Sequence, residues 1–485
     1  MVGYGLSFGD NSFHGLFGRS KFFLDTNDAD RLGHIFAHFF FQSSFATTAT
    51  TIVSGSVAER ANFIGYIVFS FFNTFVYAFP AHWIWHEEGF LNKHFGAIDF
   101  AGSGAVHLVG GATALVAAIM IGPRTNRWTE PQKFHMDSPI NALLGLFMLW
   151  WGWLGFNCGS TYGVAGGKWK LASKAAVTTI NGSIGGGIVA FAMTFFLQHG
   201  RFDVGWIING ILGGLVSITS FCPVMTPAEA LVVGGIGGAV VIGTGYLIEF
   251  LKIDDPVGAV AVHGGAGVWS LVAVGLFAGP DPTEENLFTT SGLFRGGGFT
   301  LLGAQSLYIV CCIGWAVLCT YISMKLIDLT IGIRCSYAIE LFGADMMEHN
   351  IGGYYDHKTH EIFDSKHNPI GVASKDLSHA QIDILYKKYL EAEHKFIFEG
   401  IDLLFHAKLE DPADEQPMTT TLADCRIDSG ILMSTGCTPP DNNTQSCSSP
   451  VRAAPSGSRN PVVDVEVADG NDSPIRMRGV GPKID

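Results

Sequence analysis

Two stretches of this sequence carry the same pattern: Asp99-Phe-Ala-Gly-Ser-Gly-Ala-Val-His107 and Asp255-Pro-Val-Gly-Ala-Val-Ala-Val-His263. In both, an aspartate stands eight residues before a histidine, and both end in Ala-Val-His. Each histidine lies well inside a long uncharged stretch, where an ionisable side chain is costly and usually functional. The repeated pattern therefore predicts one structural unit that is present twice, with a histidine at its centre.

The composition indicates a membrane protein. Charged residues make up 15% of the 485 residues and hydrophobic residues 48%, with 61 Gly and 37 Phe, whereas a soluble domain has about 25% charged residues. Nine stretches of about 18 or more residues lack Lys, Arg, Asp and Glu, which is long enough for a helix to cross a bilayer. They begin near residues 33, 62, 100, 140, 175, 205, 230, 256 and 297 and end near residues 55, 85, 122, 160, 198, 222, 248, 279 and 324. Because a helix satisfies its backbone groups internally, the chain is predicted to be an all-α polytopic membrane protein with nine spans.

The order of these spans predicts how the two units are oriented. His107 lies in the third span and His263 in the eighth, so five crossings separate them and the units run in opposite directions. Such an inverted repeat places its substrate path where the two halves meet. We therefore expect the two histidines to face each other near the middle of the membrane. The alternative is that each is a hydrogen-bonded core histidine with no further role.

The charge distribution separates a membrane part from a tail. Counts of Lys and Arg in the short loops do not fix the orientation of the spans. The long polar segment after Met324 lacks the paired cysteines of an exported domain, so we expect it in the cytosol and the N-terminus outside. We expect a membrane transporter domain over residues 1–330 and a cytosolic C-terminal regulatory region over 331–410. The composition of residues 411–485 predicts a disordered tail.

Aromatic residues form a second group of candidates. They cluster toward the predicted outer ends of the first, second and fourth spans: Phe41, Phe45, Trp83, Trp85, Trp150, Trp151, Trp153 and Phe156. Most members of such a set can belong to an aromatic belt at the membrane surface. A cage of rings beside a hydroxyl such as Ser160 is also what a small cation requires, because ring faces attract positive charge while the oxygen accepts an N–H.

Taken together, these residues resemble the ammonium transporter family, which also includes the methylammonium permeases and, more distantly, the Rhesus glycoproteins. The resemblance rests on the run from Asp99 to His107 with the Leu-Val-Gly-Gly that follows, and on further motifs: Phe41-Gln-Ser-Ser-Phe45, Ala58-Glu-Arg, Ala81-His-Trp-Ile-Trp85, Gly152-Trp-Leu-Gly-Phe-Asn-Cys-Gly-Ser160 and Asp254-Asp-Pro-Val-Gly-Ala-Val-Ala-Val-His-Gly. It extends in order over residues 1 to 350. Asp-Pro-Val-Gly before the second histidine is similar to the ammonium transporter branch proper.

The resemblance implies three groups of site residues: an outer recruitment site of Phe45, Trp85 and Ser160, a gate of Phe45 and Phe156, and the paired pore histidines His107 and His263. It implies that Asp99 holds the outer vestibule together and favours the cation; a purely structural role as a helix cap is the alternative. A cytosolic tail motif, which in trimers docks on the neighbouring subunit, is implied for Glu340, Gly343, Asp345, Glu348 and His349.

The resemblance also sets expectations for the whole protein. Members of this branch usually have eleven spans, and Tyr4-Gly-Leu-Ser-Phe-Gly is similar to the end of their second. The first span and most of the second are therefore expected to be missing from this sequence, as in an incomplete gene model or a splice fragment.

The predicted function is transport of ammonium or ammonia, and of methylammonium, across the plasma membrane by a homotrimer. The alternative is an ammonium sensor or receptor with a vestigial pore. An enzyme is not expected, because the loops contain no Ser/His/Asp set, no metal-spaced Cys/His cluster and no phosphate-binding Gly-Lys motif. We expect no cofactor, no metal and no nucleic-acid partner.

Overall fold

The computed structural model describes residues 1–25, 31–131, 134, 136, 138–280, 290–349, 353–356, 361–364 and 369–372. Within these residues, helices α1 to α13 have the bounds Val2–Phe8, Leu32–Val57, Phe63–Trp85, Phe90–Phe95, Val109–Ile121, Pro139–Gly159, Gly167–Leu197, Val204–Thr219, Pro227–Phe250, Ala266–Phe277, Thr300–Thr330, Tyr337–Phe342 and Ala344–His349. Two π-helical turns, Ser103–Leu108 and Val260–Gly265, lead directly into α5 and α10. The tail predicted over 411–485 lies outside the described residues.

Every predicted span coincides with a helix, which confirms the all-α polytopic fold. Among the described residues, seven helical segments are long and apolar enough to cross a membrane. The other two are α8, which has only 16 residues, and α2, which has 26 residues but carries many Ser and Thr. Nine spans therefore remain a prediction, since length and apolar character support seven.

The two histidine-containing units run antiparallel, as the inverted repeat predicts. At one end, Arg124, which follows α5, donates from Nε to Oδ2 of Asp254 just before the second unit, at 2.9 Å. At the other end, Ile98, just before the first unit, shares a buried cluster with Ala278, just after α10. The start of each unit thus lies beside the end of the other, which confirms the inverted arrangement.

An aspartate caps the start of each unit. The carboxylate of Asp99 accepts hydrogen bonds from the backbone N–H groups of residues 102–105 at 2.8 to 3.1 Å. The carboxylate of Asp255 accepts from residues 259 and 260 at 3.0 and 2.7 Å. The first amides of a helical segment have no partner within it, so a carboxylate at this position satisfies them. This is the physical reason for the fixed spacing between aspartate and histidine.

Glycines allow three helices of the second half to pack with their backbones in near contact. A Cβ atom added to Gly214 of α8, or to Gly234 of α9, would lie 2.2 Å from the carbonyl oxygen of Gly182 in α7. Small residues at such crossings let membrane helices associate by close packing. The Gly-rich runs in the sequence therefore mark helix contacts within the bundle.

A short antiparallel sheet follows the helices, with strands β1 Gly353–Asp356, β2 Glu361–Asp364 and β3 Pro369–Val372 in the order β1-β2-β3. Gly353 pairs with Asp364, and Glu361 pairs with Val372. The sheet lies within the predicted C-terminal region, for which no strands were predicted.

Candidate functional site

The two histidines of the repeated pattern are in contact with each other. Their Nδ1 atoms are 3.1 Å apart, and their rings are nearly parallel, with centroids separated by 5.2 Å. At this distance one Nδ1 donates to the other, so the two imidazoles share one hydrogen bond. His107 is fully buried, and its Nε2 has no hydrogen-bond partner in the part of the chain that the structure describes. A core histidine with all its bonds made would not leave this atom unpaired.

Aromatic rings extend from this pair in a column. Trp85 contacts Phe45 edge to face at 5.6 Å, and Phe45 stacks on Phe156 at 4.0 Å with an interplanar angle of 20°. Phe156 in turn lies 5.7 Å from the ring of His107. We call these five residues, Trp85, Phe45, Phe156, His107 and His263, the ring column. It brings together the aromatic and histidine candidates that were separate in the sequence.

The remaining aromatic candidates have different positions. Trp153 is buried and stacks on His107 at 5.0 Å, and its Nε1 donates to Thr219 at 2.9 Å. Trp151 is 76% exposed on the same helix, as expected of a residue that faces lipid. The aromatic belt therefore accounts for Trp151 but not for Trp153, which supports one face of the histidine pair.

Ser160 and Asp99 contact members of the ring column through hydrogen bonds and not through ring packing. Ser160 lies one turn after Phe156 and donates from its hydroxyl to the Phe156 carbonyl at 2.9 Å. The carboxylate of Asp99 accepts from the Tyr308 hydroxyl at 2.9 Å in addition to the four backbone amides, while its carbonyl accepts from Nε1 of Trp85 at 2.7 Å. This geometry favours the capping role for Asp99, together with a role in positioning Trp85.

Three residues that were not predicted from the sequence as site residues lie beside the Trp85 end of the column. Phe8 of α1 lies parallel to Trp85, with ring centroids 6.4 Å apart. Tyr162 contacts Phe41, and His38 stacks on Tyr162. The only signal in the sequence is that His38 and Phe45 are seven residues apart and so share one face of α2.

Charged groups gather at the opposite end of the bundle. Asp254 is buried and pairs with Arg124 and Arg127, and Arg124 also pairs with Glu59. Burial alone would raise the pKa of Asp254, but the hydrogen bonds and charge of Arg124 outweigh burial and hold this pKa below its ordinary value. Burial raises the pKa of Asp255 to about 6, against the lowering effect of its amide hydrogen bonds. The pKa values of these two adjacent carboxylates are thus shifted in opposite directions.

The segment after α11 folds back on this charged end. Arg334 forms a bidentate ion pair with Glu340 at 2.8 and 2.9 Å and donates to the carbonyls of Ile121 and Pro123. Glu340 also accepts from the backbone N–H of Thr125. The predicted tail residue Glu340 therefore ties this segment to the loop after α5.

The other predicted tail residues lie just beyond this contact. Gly343 ends α12 with a left-handed φ of +87°, and Asp345 lies in the first turn of α13. His349 contacts the ring of Phe63 at the start of α3. The side chain of Glu348 lies outside the described residues.

The fold and the site define a class: a helical membrane protein built as an inverted repeat, with a column of aromatic and imidazole rings in which Phe45 and His107 are fully buried. Among the described residues, no group of three or more His, Cys, Asp or Glu side chains could hold a metal ion. Residues 1–354 match the model of the Ammonium Transporter Family, and the chain belongs to this family.

Individual relatives agree with this assignment. A Caenorhabditis elegans protein named "Putative ammonium transporter 3" is 42% identical over 72% of this chain, but the match spans only about half, 52%, of that relative. Ammonium transporter 1 member 1 of Oryza sativa is 37% identical over 79% of this chain and 80% of its own length. These relatives are named as transporters, which supports the prediction that the chain is not an enzyme.

Two solved structures are also similar to this chain. A structure named "Sensor Amt Protein" is 33% identical, with a TM-score of 0.63, and the match covers 71% of this chain and 84% of the other. Saccharomyces cerevisiae Mep2 is 27% identical, also with a TM-score of 0.63, over 70% and 76% of the two chains.

Proposed function

We propose that this chain moves ammonium or ammonia, and methylammonium, across a membrane along the ring column. Family membership and the names of the relatives support the substrate. The observation that carries the proposal is the unpaired, buried Nε2 of His107 directly behind the Phe45–Phe156 stack. A buried nitrogen without a partner costs free energy unless a water molecule or a polar solute beside it supplies the hydrogen bond.

Each part of the column has a defined task in this proposal. Trp85 and Phe45 attract the cation with their ring faces, and the hydroxyl oxygen of Ser160 accepts a hydrogen bond from one N–H group of the cation. The stacked rings of Phe45 and Phe156 exclude water, so the solute loses its hydration shell where it passes them. The imidazole pair then offers hydrogen bonds that replace part of that shell.

The assembly and location follow from the same resemblance. We propose a homotrimer in the plasma membrane, with the N-terminus outside and the C-terminal tail in the cytosol. The contact of Arg334 and Glu340 with the loop after α5 supports a regulatory role for residues 331–349, because a tail fixed there meets the loop that holds Asp254. Residues 331–410 would form this regulatory region beside a membrane domain over 1–330.

A second candidate function is an ammonium sensor. The observation that favours it is the 33% identity with the structure named "Sensor Amt Protein". The two functions differ in whether the column conducts. A sensor needs the outer site but no path beyond the stacked phenylalanines.

Uptake of labelled methylammonium by cells that lack their own ammonium transporters separates these functions. We expect saturable uptake above the empty-vector level, and loss of uptake in the His107→Ala, His263→Ala double variant at equal surface abundance. Surface protein that binds methylammonium without uptake would favour the sensor. Surface protein with neither binding nor uptake would contradict both.

A further inference from the structure

The chain that leaves α6 packs on α2 at two places, and Ser160 lies between them. At Gly159, the backbone meets the ring of Phe41 so closely that an added Cβ would lie 2.5 Å from Cε2 of that ring. Three residues later, the ring of Tyr162 contacts Phe41 edge to face at 5.5 Å and stacks on His38 at 5.1 Å. The position of Ser160, a member of the proposed recruitment site, therefore depends on how this turn is held against α2.

The turn that contains Ser160 is hydrogen-bonded as one unit. The backbone N–H of Tyr162 donates to the carbonyl of Gly159 at 2.9 Å. The hydroxyl oxygen of Thr161 is 2.8 Å from the carbonyl oxygen of Cys158. Because these bonds span Ser160, a displacement of Tyr162 would also displace Ser160.

The side chain of Tyr162 is held by a chain of two hydrogen bonds that starts in the core. The hydroxyl of Tyr77 donates to Oε1 of Gln42 at 3.4 Å, and Nε2 of Gln42 donates to the hydroxyl oxygen of Tyr162. Gln42 is 3% exposed and Tyr77 is 2% exposed, so water competes little for the amide. A buried amide that loses a partner costs free energy, and this cost favours the position in which Tyr162 accepts the bond.

The backbone of Tyr162 has a conformation that the local sequence does not favour. Its φ is +52°, in the left-handed region, which a bulky residue keeps only where its surroundings require it. Gly163 and Gly166 follow with φ values of +151° and +58°, and glycine restrains the backbone little. Contacts of the Tyr162 side chain, and not the local backbone, therefore keep this residue against α2.

We propose that the hydrogen bond between Gln42 and Tyr162 positions Ser160 for capture of the cation. This inference rests on the proposed function, because it assumes that Ser160 accepts a hydrogen bond from ammonium or methylammonium. With the bond in place, the turn presents one arrangement of the site. Without it, the turn populates further arrangements, and the apparent affinity falls with the fraction that can bind. Gln42 and Tyr162 are thus positioning residues that act through the backbone of this turn.

The test compares uptake of labelled methylammonium by the full-length wild type, Tyr162→Phe, Gln42→Leu and the double variant, in cells that lack their own ammonium transporters. Tyr162→Phe keeps the ring and removes only the oxygen that accepts from Gln42. This variant should raise the half-saturating concentration about two- to tenfold, the range that one hydrogen bond supports, with a smaller change in maximal rate per surface molecule. The double variant should equal Gln42→Leu alone, because both changes remove the same bond.

Tyr321→Phe is the matched control, because Tyr321 is exposed on α11 and should leave the half-saturating concentration unchanged. A wild-type half-saturating concentration in Tyr162→Phe would overturn the inference while leaving the proposed function intact. The inference would also fail if the effects of the two single variants multiply in the double variant, or if only the maximal rate falls. Surface-expressed wild type without any uptake would overturn the proposed function and this inference with it. If Gln42→Leu fails to reach the surface, Tyr162→Phe decides alone, because its ring contacts remain.

Discussion

Trp85 owes its position to two contacts of different kinds. Its indole N–H donates to the carbonyl of Asp99, and its ring meets the edge of Phe45. The hydrogen bond fixes the ring at the start of the first histidine unit, where, under the proposed function, an entering cation would meet it before the stacked phenylalanines. In the proposed transport cycle, Trp85 therefore acts on the charged solute and not on the species that passes the histidines.

Replacing Trp85 with Leu should raise the half-saturating concentration for methylammonium more than it lowers the maximal rate. The reason is the loss of a cation–π attraction of about 0.5 to 2 kcal/mol, which corresponds to roughly two- to thirtyfold in affinity. Uptake normalised to surface abundance measures this effect. Trp151→Leu is the matched control, because Trp151 is exposed on the bundle surface and should leave the half-saturating concentration unchanged. Equal effects of the two substitutions would argue against a recruitment role for Trp85.

His107 is the second residue whose surroundings define its proposed task. It is held between Trp153 and His263, so its position does not depend on the solute. His107→Ala should reduce flux sharply, because the remaining apolar walls offer no hydrogen bond in place of the imidazole. His107→Glu places a negative charge beside His263 and should admit larger monovalent cations. Currents in voltage-clamped cells, with ammonium compared against potassium, measure both effects. Ammonium-selective currents of equal size from the wild type and both variants would mean that His107 is a core residue.

The helices of the second half depend on contacts that a single methyl group would disrupt. Gly182, Gly214 and Gly234 bring α7, α8 and α9 so close that a Cβ would overlap a backbone carbonyl. A backbone atom cannot move aside as a flexible side chain can, so the helices must separate and lose packing along their length. The glycines of the first unit meet those of the second in the same way, since a Cβ on Gly111 would lie 2.1 Å from the backbone nitrogen of Gly264.

Gly214→Ala should therefore lower the thermal midpoint of unfolding in detergent, by an amount that corresponds to about 1 to 3 kcal/mol of overpacking. Gly243→Ala in α9 is the control, because no atom lies within 4 Å of a Cβ at that position. This control should unfold at the wild-type temperature or slightly above it, since Ala favours helix over Gly by up to about 1 kcal/mol. A Gly214→Ala variant as stable as the control would show that the helices adjust without cost.

Across the whole molecule, one buried ion-pair network connects the two halves with the segment after α11. Arg124 and Arg127 from the first half pair with Asp254 from the second, and Arg60, fully buried, donates to the carbonyl of Asp254 at 2.7 Å. Arg334, which lies in the segment after α11, donates a hydrogen bond to a carbonyl of the loop that contains Arg124 and Arg127. Movements of that segment would thus reach Asp254, which directly precedes the aspartate that caps the second histidine unit.

Asp254→Asn should lower the free energy of unfolding by about 2 to 4 kcal/mol at pH 7, because it leaves buried arginine charge without its carboxylate. The pKa of Asp254 is held below its ordinary value, so the stability that the ionised form contributes is present above pH 4 and is lost as the pH falls through the lowered value. The difference between wild type and variant in thermal unfolding should accordingly narrow below about pH 4. Asp328→Asn, which removes an exposed pair with Lys325, should change stability by no more than about 1 kcal/mol at any pH. A constant difference between Asp254→Asn and wild type across this pH range would contradict the assigned pairing.

Local sequence is sufficient to predict several properties of this protein. Charge-free stretches of about 18 or more residues predict membrane helices, because a helix satisfies its backbone groups in lipid without a partner strand. The repeated spacing from aspartate to histidine predicts a unit that occurs twice, and the five crossings between the two histidines predict that the copies are inverted. Both predictions use only local spacing and the number of spans, and the fold confirms both.

Contacts between distant segments could not be predicted in this way. Trp153 packs on a histidine, whereas Trp151 is exposed. This difference depends on which side of α6 meets α8. The aromatic cluster around Trp85 and Phe45 joins residues from α1, α2, α3 and the loop after α6, and the Asp254 network joins both halves of the repeat. The physical reason is that ring stacking and ion pairing act over a few ångströms in space, while the residues involved lie tens to hundreds of positions apart in the chain. Only the packing of the helices brings them within that range.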